Sequence, residues 1–75
     1  MDLEQVEAFL TVARTQNFTR AAEELNVVQS TITARIKMLE QNVGKELFKR
    51  RTRSVEITPA GETFFPYAER IMESM

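Results

Sequence analysis

One segment with helical periodicity constrains the fold of this chain more than any other feature of its sequence. Between residues 29 and 43 the apolar positions recur at intervals of four, three and four: Ile32, Ile36, Leu39 and Val43. This spacing predicts an amphipathic helix that buries one face. Gly44 follows the last apolar position, where a glycine in the left-handed conformation commonly ends a helix.

A shorter helical segment precedes this one. Its predicted span is Arg20 to Leu25, with Thr19 as the N-cap, and Asn26 then supplies a residue that tolerates the left-handed conformation of a turn. A short helix, a turn and a longer helix make a helix-turn-helix, here at about residues 18–37. This motif places its second helix in the major groove of DNA.

The flanking segments complete a mainly α fold. Residues 3–15 have helical apolar spacing. Residues 47–58 predict a short β-hairpin, in which a basic run (residues 49–54) separates Leu47-Phe48 from the alternating residues 55–57. Thr58 and Pro59 then form a typical start of a last helix, the threonine as N-cap and the proline at the first helical position. The pattern predicts three helices and a two-stranded wing, followed by a long helix.

Composition excludes several classes of protein. The 75 residues contain neither cysteine nor histidine, which removes disulfides, Cys/His metal sites and the common nucleophile–histidine pairs, and no other catalytic grouping is apparent. We therefore expect no enzyme, no cofactor and no metal in this segment. The longest apolar run is only a few residues, so we expect no membrane span and a cytoplasmic protein. A core this small commonly needs a partner chain.

The outer face of the longer helix is polar and lacks carboxylates in its first half: Ser30, Thr33, Ala34, Lys37 and, further on, Gln41. Gln29 is long enough to reach base edges, and Ser30 and Thr31 can donate, accept or offer a methyl group. The alternative is that residues 29–31 form only the polar first turn of a helix.

The hairpin is basic. Five basic residues against two acidic ones give residues 44–58 a charge of +3: Lys45, Lys49, Arg50, Arg51 and Arg53 against Glu46 and Glu56. We expect Arg53 to enter the minor groove and Arg50 and Arg51 to bind phosphates. The alternative is an edge hairpin that charge merely protects from aggregation.

The total charge conceals this distribution. A formal charge of −1 and a pI near 5.4 argue, taken alone, against nucleic acid as a partner. By segment, however, residues 1–28 carry −3, residues 29–58 carry +4 and residues 59–75 carry −2. The positive charge lies in the predicted helix-turn-helix and wing.

The whole chain resembles the N-terminal DNA-binding domain of LysR-type transcriptional regulators. The resemblance is carried by residues 3–9 (LEQVEAF), residues 18–27 (FTRAAEELNV), Gln29-Ser30, Leu39-Glu40 and residues 58–61 (TPAG). It implies a winged helix-turn-helix domain at 1–58 and a linker helix at 59–75 that pairs with that of a second subunit. It also implies a homodimer or tetramer that acts on operator DNA. A C-terminal domain absent from these 75 residues would bind a small-molecule effector, and RNA polymerase is a further candidate partner.

The pattern and the resemblance together predict three sets of site residues. Base contacts are predicted for Gln29, Ser30, Thr31, Ala34, Arg35 and Arg53. DNA backbone contacts are predicted for Thr19, Arg20, Thr33, Lys37, Lys49, Arg50, Arg51 and Ser54. The apolar stripe of the last helix is too wide for one small domain to cover, so dimerisation is predicted for Phe64, Phe65, Ala68, Ile71 and Met72.

Three positions depart from the family pattern. Val28 cannot cap the following helix with its side chain. Arg35 stands one position after a basic residue common in the family, which rotates it by about 100° toward the flank of the exposed face. Pro66 removes the hydrogen bond to Glu62 and predicts a kink between these residues.

Two rival functions remain open. The first is a helical module that binds a protein through its last helix and whose basic hairpin only keeps it soluble. The second is a winged-helix regulator of another family, such as the molybdate-responsive type. Salt-dependent binding to duplex DNA separates the first rival from the DNA-binding interpretation.

Overall fold

The computed structural model describes residues 1–52 and 54–74 of the chain. The described part contains four helices and a two-stranded antiparallel hairpin. In chain order these are α1 (Leu3–Thr15), α2 (Phe18–Glu24), α3 (Gln29–Val43), β1 (Phe48–Arg50), β2 (Val55–Ile57) and α4 (Pro59–Glu73). This order confirms the predicted winged helix-turn-helix followed by a further helix.

α2 begins earlier than the sequence pattern predicts. Asn17 is the N-cap, and its side-chain oxygen accepts a 2.9 Å hydrogen bond from the backbone N–H of Arg20. The prediction that Thr19 caps this helix is wrong, because the buried Phe18 already belongs to the first turn and asparagine is an equally good cap. The hydroxyl of Thr19 is therefore available for a contact outside its own helix.

The turn between α2 and α3 has the predicted backbone. Asn26 has a φ of 58° and Gly44, at the end of α3, has a φ of 83°, both in the left-handed region. Val28 occupies the N-cap position of α3 and makes no side-chain capping hydrogen bond, as predicted. The first turn of α3 is thus positioned by packing and by contacts of other side chains.

Phe9 on α1 lies at the centre of the core. Its ring centroid is 5.3 Å from that of Phe48 on β1, 5.2 Å from that of Phe64 and 6.2 Å from that of Phe65 on α4. Each such aromatic pair contributes about 0.5–1.5 kcal/mol beyond the burial of its surface. One side chain therefore holds the wing and α4 against α1.

The same packing corrects one predicted dimerisation residue. Ala68 is completely buried within the single chain, so it has no surface left for a second subunit. Phe64, Phe65, Ile71 and Met72 pack against the core but remain partly exposed. Folding back on α1 thus covers only part of the apolar stripe, as expected.

The helix α4 runs unbroken from Pro59 to Glu73, through the exposed Pro66. Thr58 is its N-cap, as predicted, and accepts a 3.0 Å hydrogen bond from the backbone N–H of Gly61. A kink between Glu62 and Pro66 stays a prediction.

The wing is tied to both neighbouring helices at its base. The hydroxyl of Thr58 donates to the carbonyl oxygen of Glu46 at 2.7 Å, and its backbone N–H donates to the carbonyl oxygen of Leu47 at 3.0 Å. On the other side, the carboxylate of Glu40 on α3 accepts a hydrogen bond from the backbone N–H of Leu47. These bonds fix the wing relative to α3 and α4.

Candidate nucleic-acid interface

The N-termini of α2 and α3 and the wing line an open cleft with a volume of about 260 Å³. Its lining residues are Asn17, Phe18, Thr19, Gln29, Arg50, Arg51, Thr52, Ser54 and Val55. Five of the residues predicted to contact DNA meet here: Thr19, Gln29, Arg50, Arg51 and Ser54. The fold thus brings together side chains from three separate parts of the chain.

Thr19 and Gln29 are in direct contact at one side of this cleft. The hydroxyl of Thr19 donates to Oε1 of Gln29 at 3.0 Å, although both side chains are exposed. Thr19 lies in the first turn of α2, and Gln29 is the first residue of α3. The contact orients the one long polar side chain at the start of α3.

The outer face of α3 is open, and its side chains are small apart from Lys37. Ser30, Ala34 and Lys37 are exposed, whereas Thr31 and Thr33 are partly buried at its margins. Residues 29–39 contain no acidic side chain. Small side chains allow close approach of another surface, and the absence of carboxylates avoids repulsion of phosphates.

Arg35 points away from this face. Its guanidinium lies 3.5 Å from the carboxylate of Glu4 on α1, and its side chain is only 22% exposed. The flank position agrees with the rotation predicted from the sequence. A contact of Arg35 with a base stays a prediction, and it requires the side chain to leave Glu4.

Two arginines of the wing already have partners within the chain. The guanidinium carbon of Arg50 lies 4.6 Å from the ring centroid of Phe18, a cation–π contact. Nε of Arg51 lies 3.1 Å from the carboxylate of Glu56, and both side chains are about 60% exposed. An exposed pair of this kind contributes only about 0–1 kcal/mol, so Arg51 can exchange Glu56 for a phosphate at little cost.

The remaining predicted contacts are accessible. Arg20 on α2, Lys49 on β1 and Ser54 are exposed. Arg53 lies outside the described residues. The carboxylate of Glu24 lies 2.8 Å from the guanidinium of Arg14 on α1, and neither residue lines the cleft.

Sequence reasoning missed two residues that position this interface. Glu40 holds the base of the wing, and Phe18 supports Arg50 with its ring. The signal for Glu40 is its place on the flank of α3, next to the buried Leu39, where a carboxylate needs partners. For Phe18, the signal is that an aromatic residue lies just before the predicted start of α2, where a large apolar side chain needs a place in the core.

The described ranges 1–52 and 54–74 hold no helix long and apolar enough to cross a membrane. Within the same ranges there is no cluster of three or more carboxylate, cysteine or histidine side chains suited to a metal ion.

Comparison with known proteins identifies similar sequences. A family model for bacterial regulatory helix-turn-helix proteins of the lysR family matches residues 3–62. The chain is 46% identical over 74 residues to the HTH-type transcriptional regulator HdfR of Yersinia enterocolitica. The aligned segment covers 99% of this chain and 25% of that protein. HdfR of Yersinia pestis is 45% identical over the same length. The chain thus spans a quarter of the length of these curated relatives, whose names as regulators agree with the prediction that it is not an enzyme.

Solved structures are similar over nearly the whole chain. The DNA-binding domain of CbnR in complex with DNA superposes with a TM-score of 0.94 at 38% identity, covering 97% of this chain and 84% of that one. Vibrio fischeri DarR in complex with DNA gives a TM-score of 0.93 at 36% identity, covering 99% of this chain and 25% of that one. Both of these structures are complexes with DNA.

Proposed function

The chain belongs to the LysR family of bacterial regulatory helix-turn-helix proteins, and from that premise we propose that it binds specific sequences of double-stranded DNA. α3 enters the major groove, which is about 12 Å wide and admits a helix. The wing lies along the adjacent backbone. Arg53 reaches into the minor groove, where the negative potential attracts a guanidinium.

One observation carries this proposal: the cleft joins the start of α3 to the basic wing. Gln29, with its hydrogen-bonding carboxamide, lies on the same cleft as Arg50 and Arg51. Base recognition and phosphate binding need this combination, because phosphates fix the position of the protein and base edges carry the sequence information.

The proposed roles follow from where these residues lie on α2, α3 and the wing. Gln29, Ser30 and Thr31 read base edges, and Ala34 contacts a thymine methyl group, while Arg35 serves an edge base once released from Glu4. Phosphates are bound by side chains of α2, α3 and the wing: Arg20, Thr33, Lys37, Lys49, Arg50, Arg51 and Ser54.

The partly exposed residues of α4 support a second proposal, that two copies associate through this helix. Phe64, Phe65, Ile71 and Met72 keep apolar surface, and Tyr67 on the same helix is 57% exposed. Burial of this surface against a second copy supplies the partner that a core this small commonly needs. A homodimer, or a tetramer of the longer protein, then binds two half-sites.

The length of the relatives supports the remaining proposals. Since the chain spans 25% of HdfR, we place a small-molecule effector on a further domain and no cofactor on these residues. RNA polymerase is a further partner of such a regulator, and the cytoplasm is its compartment.

Selection of bound duplexes from a random pool tests the main proposal. We expect enrichment of one sequence, and an affinity that falls by orders of magnitude between about 50 and 200 mM salt. Gln29→Ala then costs about 1–3 kcal/mol and relaxes the preference at one base pair, whereas Arg51→Ala weakens all duplexes alike. Absence of any duplex binding by a confirmed dimer at low salt favours the protein-interaction module instead.

A further inference from the structure

We propose that Thr19 is a positioning residue for base recognition, whose hydroxyl fixes the carboxamide of Gln29 and so determines which groups Gln29 presents to DNA. This inference rests on the proposed binding of specific duplexes. Its starting observation is the 3.0 Å hydrogen bond from the hydroxyl of Thr19 to Oε1 of Gln29.

A carboxamide has two chemically different ends. The oxygen accepts hydrogen bonds, the nitrogen donates two, and rotation by 180° about the last torsion exchanges them. In the structure the oxygen is the end that faces Thr19, and the hydrogen bond from the hydroxyl occupies one of its lone pairs. Gln29 then keeps one acceptor site beside two N–H donors, the complement of the donor and acceptor on the major-groove edge of adenine.

The side chain of Thr19 has fewer accessible rotamers than that of Gln29. Asn17 caps α2, so Thr19 lies within the first turn, where a β-branched side chain has few rotamers. The neighbouring Phe18 is buried, and its ring is covered by the guanidinium of Arg50. Gln29, in contrast, is a flexible side chain at a helix start that has no capping side chain. The rigid partner therefore orders the flexible one.

The contact also limits what else Thr19 does. A hydroxyl has a single O–H, and once it donates to Gln29 only lone pairs remain, which repel a phosphate oxygen. The role of Thr19 as a phosphate donor and its role as an anchor for Gln29 exclude each other at any one moment. The two roles therefore predict different effects of removing the hydroxyl.

The test compares Thr19→Val, which removes the hydroxyl at nearly constant shape, with Thr19→Ser, which keeps it. Affinities are measured for four duplexes: the one that the wild-type chain selects, and the three that differ from it at a single base pair. That base pair is the one at which the Gln29→Ala protein no longer discriminates. We expect Thr19→Val to lower discrimination at that base pair by about 2- to 10-fold, the range for loss of one hydrogen bond, with an unchanged salt dependence. Thr19→Ser should retain discrimination, and Thr19→Val should have no further effect at that base pair in the Gln29→Ala background.

Equal weakening on all duplexes with a shallower salt dependence would overturn the inference and assign Thr19 to a phosphate. Unchanged discrimination in Thr19→Val would overturn it as well. Failure of the wild-type chain to enrich any sequence is a separate result, which removes the proposed function together with this inference. Thr19→Ala serves as a second hydroxyl-free variant, and matching thermal unfolding curves establish that the variants fold.

Discussion

Glu40 on α3 accepts a 2.7 Å hydrogen bond from the backbone N–H of Leu47, the buried residue that precedes β1. The same carboxylate oxygen also lies 3.3 Å from the backbone nitrogen of Phe48. One side chain of the proposed recognition helix thus holds the first residues of the wing. Since the wing contributes the cations of the cleft, this bond fixes them relative to α3.

We expect Glu40→Ala to lower the free energy of unfolding by about 1–3 kcal/mol, because two backbone N–H groups lose a charged acceptor close to the core. Glu40→Gln keeps an oxygen acceptor and should cost less. Urea unfolding of the chain measures both. Gln41→Ala, at the adjacent exposed position, is the matched control and should change little; equal stability of Glu40→Ala and Gln41→Ala would contradict the assigned role.

The sequence pattern predicted the elements with strong periodicity and clear caps. α1 and α3 have the predicted bounds, and the turn at Asn26, the end at Gly44 and the start of α4 at Pro59 agree with the structure. Each of these depends on interactions within a few residues of the chain, which a single sequence displays directly.

The errors arise where the outcome depends on distant packing. Two residues, Asn17 and Thr19, are both good N-caps, and the burial of Phe18 in the core decides between them. The apolar stripe of α4 likewise does not reveal which of its residues are buried within the same chain, as Ala68 is, and which remain partly exposed.

The candidate site was predicted as a set of residues but not as an arrangement. The hydrogen bond between Thr19 and Gln29 joins side chains ten positions apart and exists only because α2 and α3 pack together. The pairing of Arg35 with Glu4 spans 31 positions and follows from the packing of α3 on α1. Neither contact leaves a periodic signal in the sequence.

Gly61 packs so closely against Leu47 and Ile57 that the structure has no space for a side chain at this position. A Cβ at this position would collide with the carbonyl oxygen of Leu47 and the side chain of Ile57. We expect Gly61→Ala to destabilise the chain by about 1–3 kcal/mol, although alanine favours a helix over glycine by about 1 kcal/mol. Thermal unfolding measures the change, with Thr63→Ala on the exposed side of α4 as the control. An increase in stability would show that the base of the wing yields to the added methyl group.

Pro66 lies inside α4, where it leaves the carbonyl oxygen of Glu62 without its helical N–H donor. Pro66→Ala restores this donor at an exposed position, and we expect a gain in stability of up to about 3 kcal/mol together with more helix by circular dichroism. If α4 forms the contact between two copies, their association strengthens as well. An unchanged melting temperature at matched protein concentration would indicate that the surrounding structure already compensates for the proline.

Glu56 competes with DNA for Arg51 under the proposed function, because the two side chains pair at 3.1 Å on the exposed wing. We expect Glu56→Gln to strengthen binding to all duplexes alike by about 2- to 5-fold at low salt, since an exposed pair contributes about 0.2–1 kcal/mol and its loss frees the guanidinium for a phosphate. Fluorescence anisotropy over 50 to 200 mM salt measures the effect, which should shrink as salt screens the charges. Glu69→Gln makes the same change of charge on α4, away from the cleft, and an equal gain in this control would mean that net charge alone, rather than release of Arg51, governs affinity.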